Sequence, residues 1–329
     1  MIAPLAVALG DPAGIGPEIT AKAWERREAE GLPPFFAVGA PEALRAVWDG
    51  PIEVVAGPDE AAHCFRDRLP VIRIDAAGAT EPGSPTLEGA RNALDSLELA
   101  VGLTRSGASS ALVTGPVSKA QLYAIGFTHP GQTEFVAERC GIAAEMVAMM
   151  LAGPTLRTVP VTTHVALRDV PGLVTAELIV ARGRTTIRAL RRLFGIEWPR
   201  LAVAGLNPHA GEGGALGREE IDFVIPAIER LREEEADVTG PHAPDTLFHL
   251  RMRSTYDAAL CLYHDQALVP LKTLHFDEGV NITLGLPIVR TSPDHGTAFA
   301  LAGQDRALPT AMVAALKMAA DCARRLAEA

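Results

Sequence analysis

Along this chain a short apolar run, a turn containing glycine, proline or histidine, and a longer stretch of helical periodicity follow one another repeatedly. That repeat constrains the fold more than any other feature, because such βα units assemble into mostly parallel sheets. Strand-like runs fall at Leu5–Leu9, Phe35–Val38, Ala111–Thr114, Arg157–Thr162, Leu201–Gly205, Ala258–Tyr263 and Asn281–Leu284. Several are apolar without strict alternation, as strands covered on both faces are. Between them, Ile221, Val224, Ile225, Ile228 and Leu231 recur at spacings of three and four and make one buried helical stripe. A second helix is expected between a Thr175 cap and Gly195, and a third over 85–107. With 329 residues and no flexible linker, the chain is expected to form two lobes joined by strands or short crossings.

The formal net charge of −10 argues against a nucleic-acid or membrane-surface partner, either of which needs a basic face. The apolar start lacks a basic leader and is broken by Asp11 and Pro12, so it reads as a buried first strand. Cys64, Cys140, Cys261 and Cys322 are scattered and form no CxxC pair, which suits small buried hydrophobes in a reduced, cytoplasmic protein.

In open parallel sheets, ligands bind beyond the carboxyl ends of the strands, where loops and helix N-termini converge. Three of the nine histidines, His164, His209 and His264, follow strand-like runs at equivalent places. A lone histidine there is more often a satisfied polar residue than a ligand. Together, three neutral imidazoles leave coordination positions open, as a catalytic divalent site requires. Asp265 or Asp245 would add a carboxylate or orient a ligand, unless they are surface-turn residues. Lys272, Asn281 and Arg290 place donors and positive charge close to His264 in sequence, suited to a phosphate or carboxylate, or else are solvated surface groups. The glycines of GDPAGIG at 10–16 match neither a dinucleotide fingerprint nor a Walker loop. Gly211 to Gly214 either cradles a phosphate or forms a flexible turn.

The segments GDPAGIGPEI (10–19), TGPVSK (114–119), TEFVAE (133–138), TTHVALRD (162–169), GLNPHAGEGG (205–214), PDTLF (244–248), YHDQ (263–266) and GVNITLGLPIVRTSPDHGTAFALAG (279–303) span nearly the whole chain. In that order they resemble the 4-hydroxythreonine-4-phosphate dehydrogenase family of vitamin B6 biosynthesis. A more distant likeness is to isopropylmalate and isocitrate dehydrogenases, whose GDGIGPE and HGSAPDIAG segments are similar to GDPAGIGPE and to 295–303 here. The resemblance implies two α/β/α lobes of the isopropylmalate dehydrogenase type, 1–129 plus 283–329 and 130–282, with the active site in the inter-lobe cleft at a dimer interface. It implies that His164, His209 and His264 hold one divalent ion (Zn, Mg or Co), with His264 crossing a homodimer interface. Gln132, Thr133, Lys272, Asn281 and Arg290 are implied to contact substrate, and Asp294, His295, Gly296 and Thr297 to contact NAD or NADP. Lys119 and Asp245 are the candidates for proton transfer or orientation.

The family pattern usually has histidine immediately before Thr133, whereas Gln132 stands here. Glutamine donates hydrogen bonds but cannot become cationic or act as acid or base. The activity implied is NAD-dependent oxidation of 4-phosphooxy-threonine at C3, with loss of carbon dioxide from the β-keto acid to leave 3-amino-2-oxopropyl phosphate. Related dehydrogenases of phosphoerythronate, phosphothreonate or dicarboxylated dihydrodiols are the nearest competitors. A metal-dependent hydrolase and a non-catalytic metal-binding protein are the readings from other classes.

Overall fold

The computed structural model describes residues 2–76, 78, 81–234 and 237–328. They divide into two compact units, Met1–Gly141 with Leu286–Glu328, and Ile142–Gly285. The first unit opens with β1 (Leu5–Ala8), β2 (Phe35–Gly39), β3 (Ile52–Val54), β4 (Leu69–Arg73) and β5 (Leu112–Thr114). The second carries β6 (Ala148–Gly153), β7 (Leu156–Pro160), β8 (Arg200–Ala204), β9 (Asp237–His242), β10 (Ala258–Cys261) and β11 (Val280–Leu284). The chain then returns to the first unit with β12 (Arg290–Pro293).

In the first unit the strand order is β3-β4-β2-β1-β5-β12, and every neighbouring pair is parallel. The helices Leu87–Arg105 and Thr310–Glu328 both pack on β1, and all four of its residues are buried. Coverage by helices explains why these strands are apolar without alternation. In the second unit the order is β11-β6-β7-β10-β8-β9. There β6 runs antiparallel to both β11 and β7, while β7, β10, β8 and β9 are mutually parallel. Leu151, Leu156, Ala259, Cys261 and Leu271 lie in one buried cluster of this unit.

The mostly parallel α/β architecture read from the repeat is the one the chain adopts. All seven strand-like runs contain strands, with ends shifted by one or two residues. Thr175 caps the helix Ala176–Phe194 by accepting from Leu178 N–H at 3.1 Å, and Gly195 closes it with φ 65°. The stripe from Ile221 to Leu231 is helical but begins with a π turn, Glu220–Val224, before the helix Ile225–Arg232. Five strands, β3, β4, β6, β9 and β12, escape the apolar-run reading. In β12, Arg290, Thr291 and Ser292 are polar yet buried, so pairing with β5 rather than intrinsic apolarity makes them a strand.

Candidate active site

The three histidines follow three neighbouring parallel strands of the second unit, β7, β10 and β8. Two hydrogen bonds carry the β7–β10 register past the strand ends: Val161 N–H donates to Cys261 O at 2.7 Å, and Thr162 Oγ1 to Leu262 O at 2.9 Å. His164 and His264 each stand two residues beyond that last pair, which sets them side by side with ring centroids 5.4 Å apart. His164 has φ 54°, a left-handed conformation that side-chain-bearing residues rarely adopt and that functional sites concentrate. His264 opens the helix His264–His275, and its Nδ1 lies 2.7 Å from Asp265 Oδ1, leaving Nε2 as its other ring nitrogen.

These features suit a divalent ion. A carboxylate on the far nitrogen of a ligating histidine fixes its tautomer and ring orientation, the part Asp265 is placed to play. Among the described residues, no group of three or more His, Cys, Asp or Glu side chains comes together as a metal site. His164 and His264 are neighbours within the chain, and among the described residues His209 does not join them in such a group.

His209 sits after β8 on an unusual turn. His209, Ala210, Gly211, Glu212 and Gly213 have φ of 52°, 53°, 80°, 44° and 65°, a continuous left-handed stretch. Each non-glycine residue there costs roughly 1–2 kcal/mol, so surrounding contacts must over-determine the turn. Sequence reasoning missed two residues that supply such contacts. Buried Gln266 accepts from Leu262 N–H at 2.6 Å and donates to Gly205 O at 2.7 Å, tying the end of β10 to that of β8. Buried Glu220 accepts from the backbone N–H groups of Leu206 and Asn207. The only sequence signal for either was an amide or acid within an otherwise amphipathic stretch. Elsewhere in the unit, Asn281 Oδ1 on β11 is buried with no hydrogen-bond partner among the described residues. Such a group costs about 1–3 kcal/mol unless a ligand supplies a donor. Lys272 Nζ lies 5.9 Å from the Phe276 ring centroid. Asp245 is exposed in the short helix Pro244–Leu247.

In the first unit, polar groups collect around Thr114 and Gly115 at the end of β5. Arg290, from neighbouring β12, is 3 % exposed and donates through Nη2 to Thr114 Oγ1 at 2.7 Å. Burial lowers its pKa to about 10, with nearby Glu134 acting in the opposite direction, so it is still cationic at neutral pH. Gln132 Nε2 donates to Gly115 O at 3.1 Å. Gln132 and Thr133 form the first turn of the helix Gln132–Arg139. A Cβ on Gly131 would lie 3.6 Å from Lys119 Nζ, so Lys119 borders the same turn.

The glycine-rich turn at 10–16 and the segment at 295–303 also meet within this unit. Ile15 N–H donates to Thr297 O at 3.0 Å, and Ala298 beside it has φ 44°. His295 Nδ1 is 3.1 Å from Gly296 O, and Asp294 is half-buried at the end of β12. Burial raises the pKa of Asp11 in the glycine-rich turn, countered in part by the Ala13 N–H bond to its carboxylate.

Comparison with known proteins adds a second line of argument. The family described as "Pyridoxal phosphate biosynthetic protein PdxA" matches residues 34–319. A "4-hydroxythreonine-4-phosphate dehydrogenase" of Zymomonas mobilis is 58 % identical over 320 residues, covering 97 % of this chain and 96 % of its own length. The crystal structure of the Klebsiella pneumoniae protein of that name superposes with a TM-score of 0.88 at 36 % identity, covering 98 % of both chains. A terephthalate 1,2-cis-dihydrodiol dehydrogenase from Burkholderia xenovorans is more remote, at 27 % identity and a TM-score of 0.66 over 98 % of both chains.

Proposed function

Because the chain belongs to the PdxA family of pyridoxal phosphate biosynthetic proteins, we propose that it is a 4-hydroxythreonine-4-phosphate dehydrogenase using NAD or NADP and one divalent ion. The proposed reaction oxidises the C3 hydroxyl of 4-phosphooxy-L-threonine with hydride transfer to the nicotinamide. The β-keto acid then loses carbon dioxide, leaving 3-amino-2-oxopropyl phosphate. The identity to named dehydrogenases favours this substrate over a dihydrodiol, whose enzyme is the more distant relative. Oxidation with a nicotinamide also distinguishes this reading from a hydrolase.

The single structural observation carrying the proposal is that His164, His264 and His209 follow the carboxyl ends of three neighbouring parallel strands, β7, β10 and β8. His164, His209 and His264 are the proposed metal ligands, with His264 supplied by the partner in a homodimer. When bound, the ion supplies Lewis acidity toward the substrate's oxygen and nitrogen, and the nicotinamide supplies the hydride acceptor. Arg290 is buried and held by Thr114, so it meets an anionic phosphate or carboxylate with its charge already desolvated and oriented. Thr133 and Lys272 add a hydroxyl donor and a second cation, and Asn281 contributes the amide whose oxygen has no donor among the described residues. Gln132 is oriented by Gly115 O and contributes amide hydrogen bonds without proton transfer. Lys119 and Asp245 are the proposed proton-transfer or orienting groups, and Asp294, His295, Gly296 and Thr297 the nicotinamide-nucleotide segment. No helix of the described residues is long and apolar enough to cross a membrane, and a cytoplasmic location is proposed.

The test is formation of reduced nicotinamide with 4-phosphooxy-L-threonine, compared with 4-phosphoerythronate and a dicarboxylated dihydrodiol, in metal-defined buffer. Preference for the first supports the reading. Turnover confined to another substrate, or phosphate release without nicotinamide reduction, overturns it.

A further inference from the structure

We propose that Glu220 is the positioning residue for His209, holding the left-handed turn in the one arrangement that presents this imidazole for metal binding. The inference rests on the reading of His209 as a ligand and goes beyond it, to how the rest of the chain aims that ligand.

Glu220 is 2 % exposed. Its Oε1 accepts from Leu206 N–H and Asn207 N–H, both at 2.8 Å, and its Oε2 accepts from Asn207 Nδ2 at 2.9 Å. Glu219 Oε2 accepts from the same amide at 2.8 Å. The residues leading into His209 are thus fastened to one buried carboxylate through three N–H groups. The turn also closes back on that carboxylate from the other side, since a Cβ on Gly211 would stand 2.5 Å from Glu220 Oε2. Gly211 has φ 80°, so glycine is needed there for conformation as well as for space.

The base of the turn is fixed through Gly205, whose oxygen accepts from Gln266, two residues beyond His264. The helix that carries Glu220 begins with a π turn rather than an α turn, a local widening that recurs at functional sites. His209 itself is exposed. A strained backbone, a buried carboxylate beneath it and an outward imidazole together make a ligand support.

The experiment titrates the metal-free full-length protein with Co²⁺, reading the visible d–d absorption of the bound ion. It compares wild type, Glu220→Gln, His209→Ala and the double variant, with circular dichroism as the check on folding. Glu220→Gln keeps the shape but turns one acceptor into a donor facing N–H groups. The expected result is about 10–100-fold weaker Co²⁺ binding, as for other residues that orient a metal ligand. In the His209→Ala background, Glu220→Gln should weaken binding no further, because its effect passes through the missing imidazole.

Wild-type affinity in Glu220→Gln would overturn the proposal while leaving the ligand reading intact. An equal loss in both backgrounds would also overturn it, marking Glu220 as a general structural residue. Unchanged binding in His209→Ala would overturn both readings. If Glu220→Gln does not fold, Asn207→Ala, which removes one donor and keeps the carboxylate, takes its place in the same cycle.

Discussion

At the residue scale, Gln132 stands where the family resemblance implies a histidine. The histidine nearest in sequence, His129, lies elsewhere in the same segment. His129 is packed edge-on against Phe127 and Phe135, with its Nε2 3.6 Å from Glu138. Gln132 instead spends a donor on Gly115 O, so its contribution is geometric and has no titration. Gln132→His should therefore add a limb to the pH profile of kcat/KM near the ordinary imidazole pKa of about 6.5. A profile identical to wild type would overturn the proposed contact of Gln132 with substrate. Arg290 is the complementary case, a buried cation with a fixed direction. Arg290→Met should raise KM for the phosphorylated substrate by about 10–100-fold, the worth of a hydrogen bond to a charged group. Steady-state kinetics with varied substrate checks this.

At the element scale, the second unit depends on parallel strands staying in register, because the positions of His164 and His264 are counted from the last bonds of β7 and β10. Asp257, just before β10, clamps the start of β8. Its Oδ2 accepts from Arg200 N–H at 2.8 Å, and its Oδ1 from Arg200 Nη2 at 2.9 Å. Burial alone would raise the Asp257 pKa, but the hydrogen bonds and charge of Arg200 outweigh it and hold the carboxyl below its ordinary range. A depressed folded pKa means this contribution is complete above the unfolded value of about 3.9 and is lost as pH falls through the folded value. Asp257→Asn should cost about 1–3 kcal/mol near neutral pH. The gap in Tm between variant and wild type should close on acidification below pH of about 4. A gap independent of pH would mean that the carboxylate charge plays no part.

At the scale of the whole molecule, the proposed site needs a second copy of the chain. If His264 serves the partner's ion, His209→Ala and His264→Ala are each inactive alone, yet their mixed dimer has one site with all three imidazoles intact. Unfolding and refolding an equal mixture should recover about a quarter of wild-type activity. No recovery would mean that His209 and His264 serve the same site from one chain. The parallel α/β architecture and the strand-end location of the histidines were legible in the sequence, since apolar periodicity and turn residues are local signals. So were the seven apolar strands and the limits of the helix Ala176–Phe194. Strand β12 and the support beneath His209 were not. Arg290, Thr291 and Ser292 become a strand only because β5 supplies pairing groups. Glu220 becomes an anchor only because Leu206 and Asn207 fold back onto it across 14 and 13 residues. Hydropathy and spacing identify which residues can bury or coordinate. Which hydrogen-bonding groups meet is decided by strand order and register, because only the folded chain brings distant donors to one acceptor.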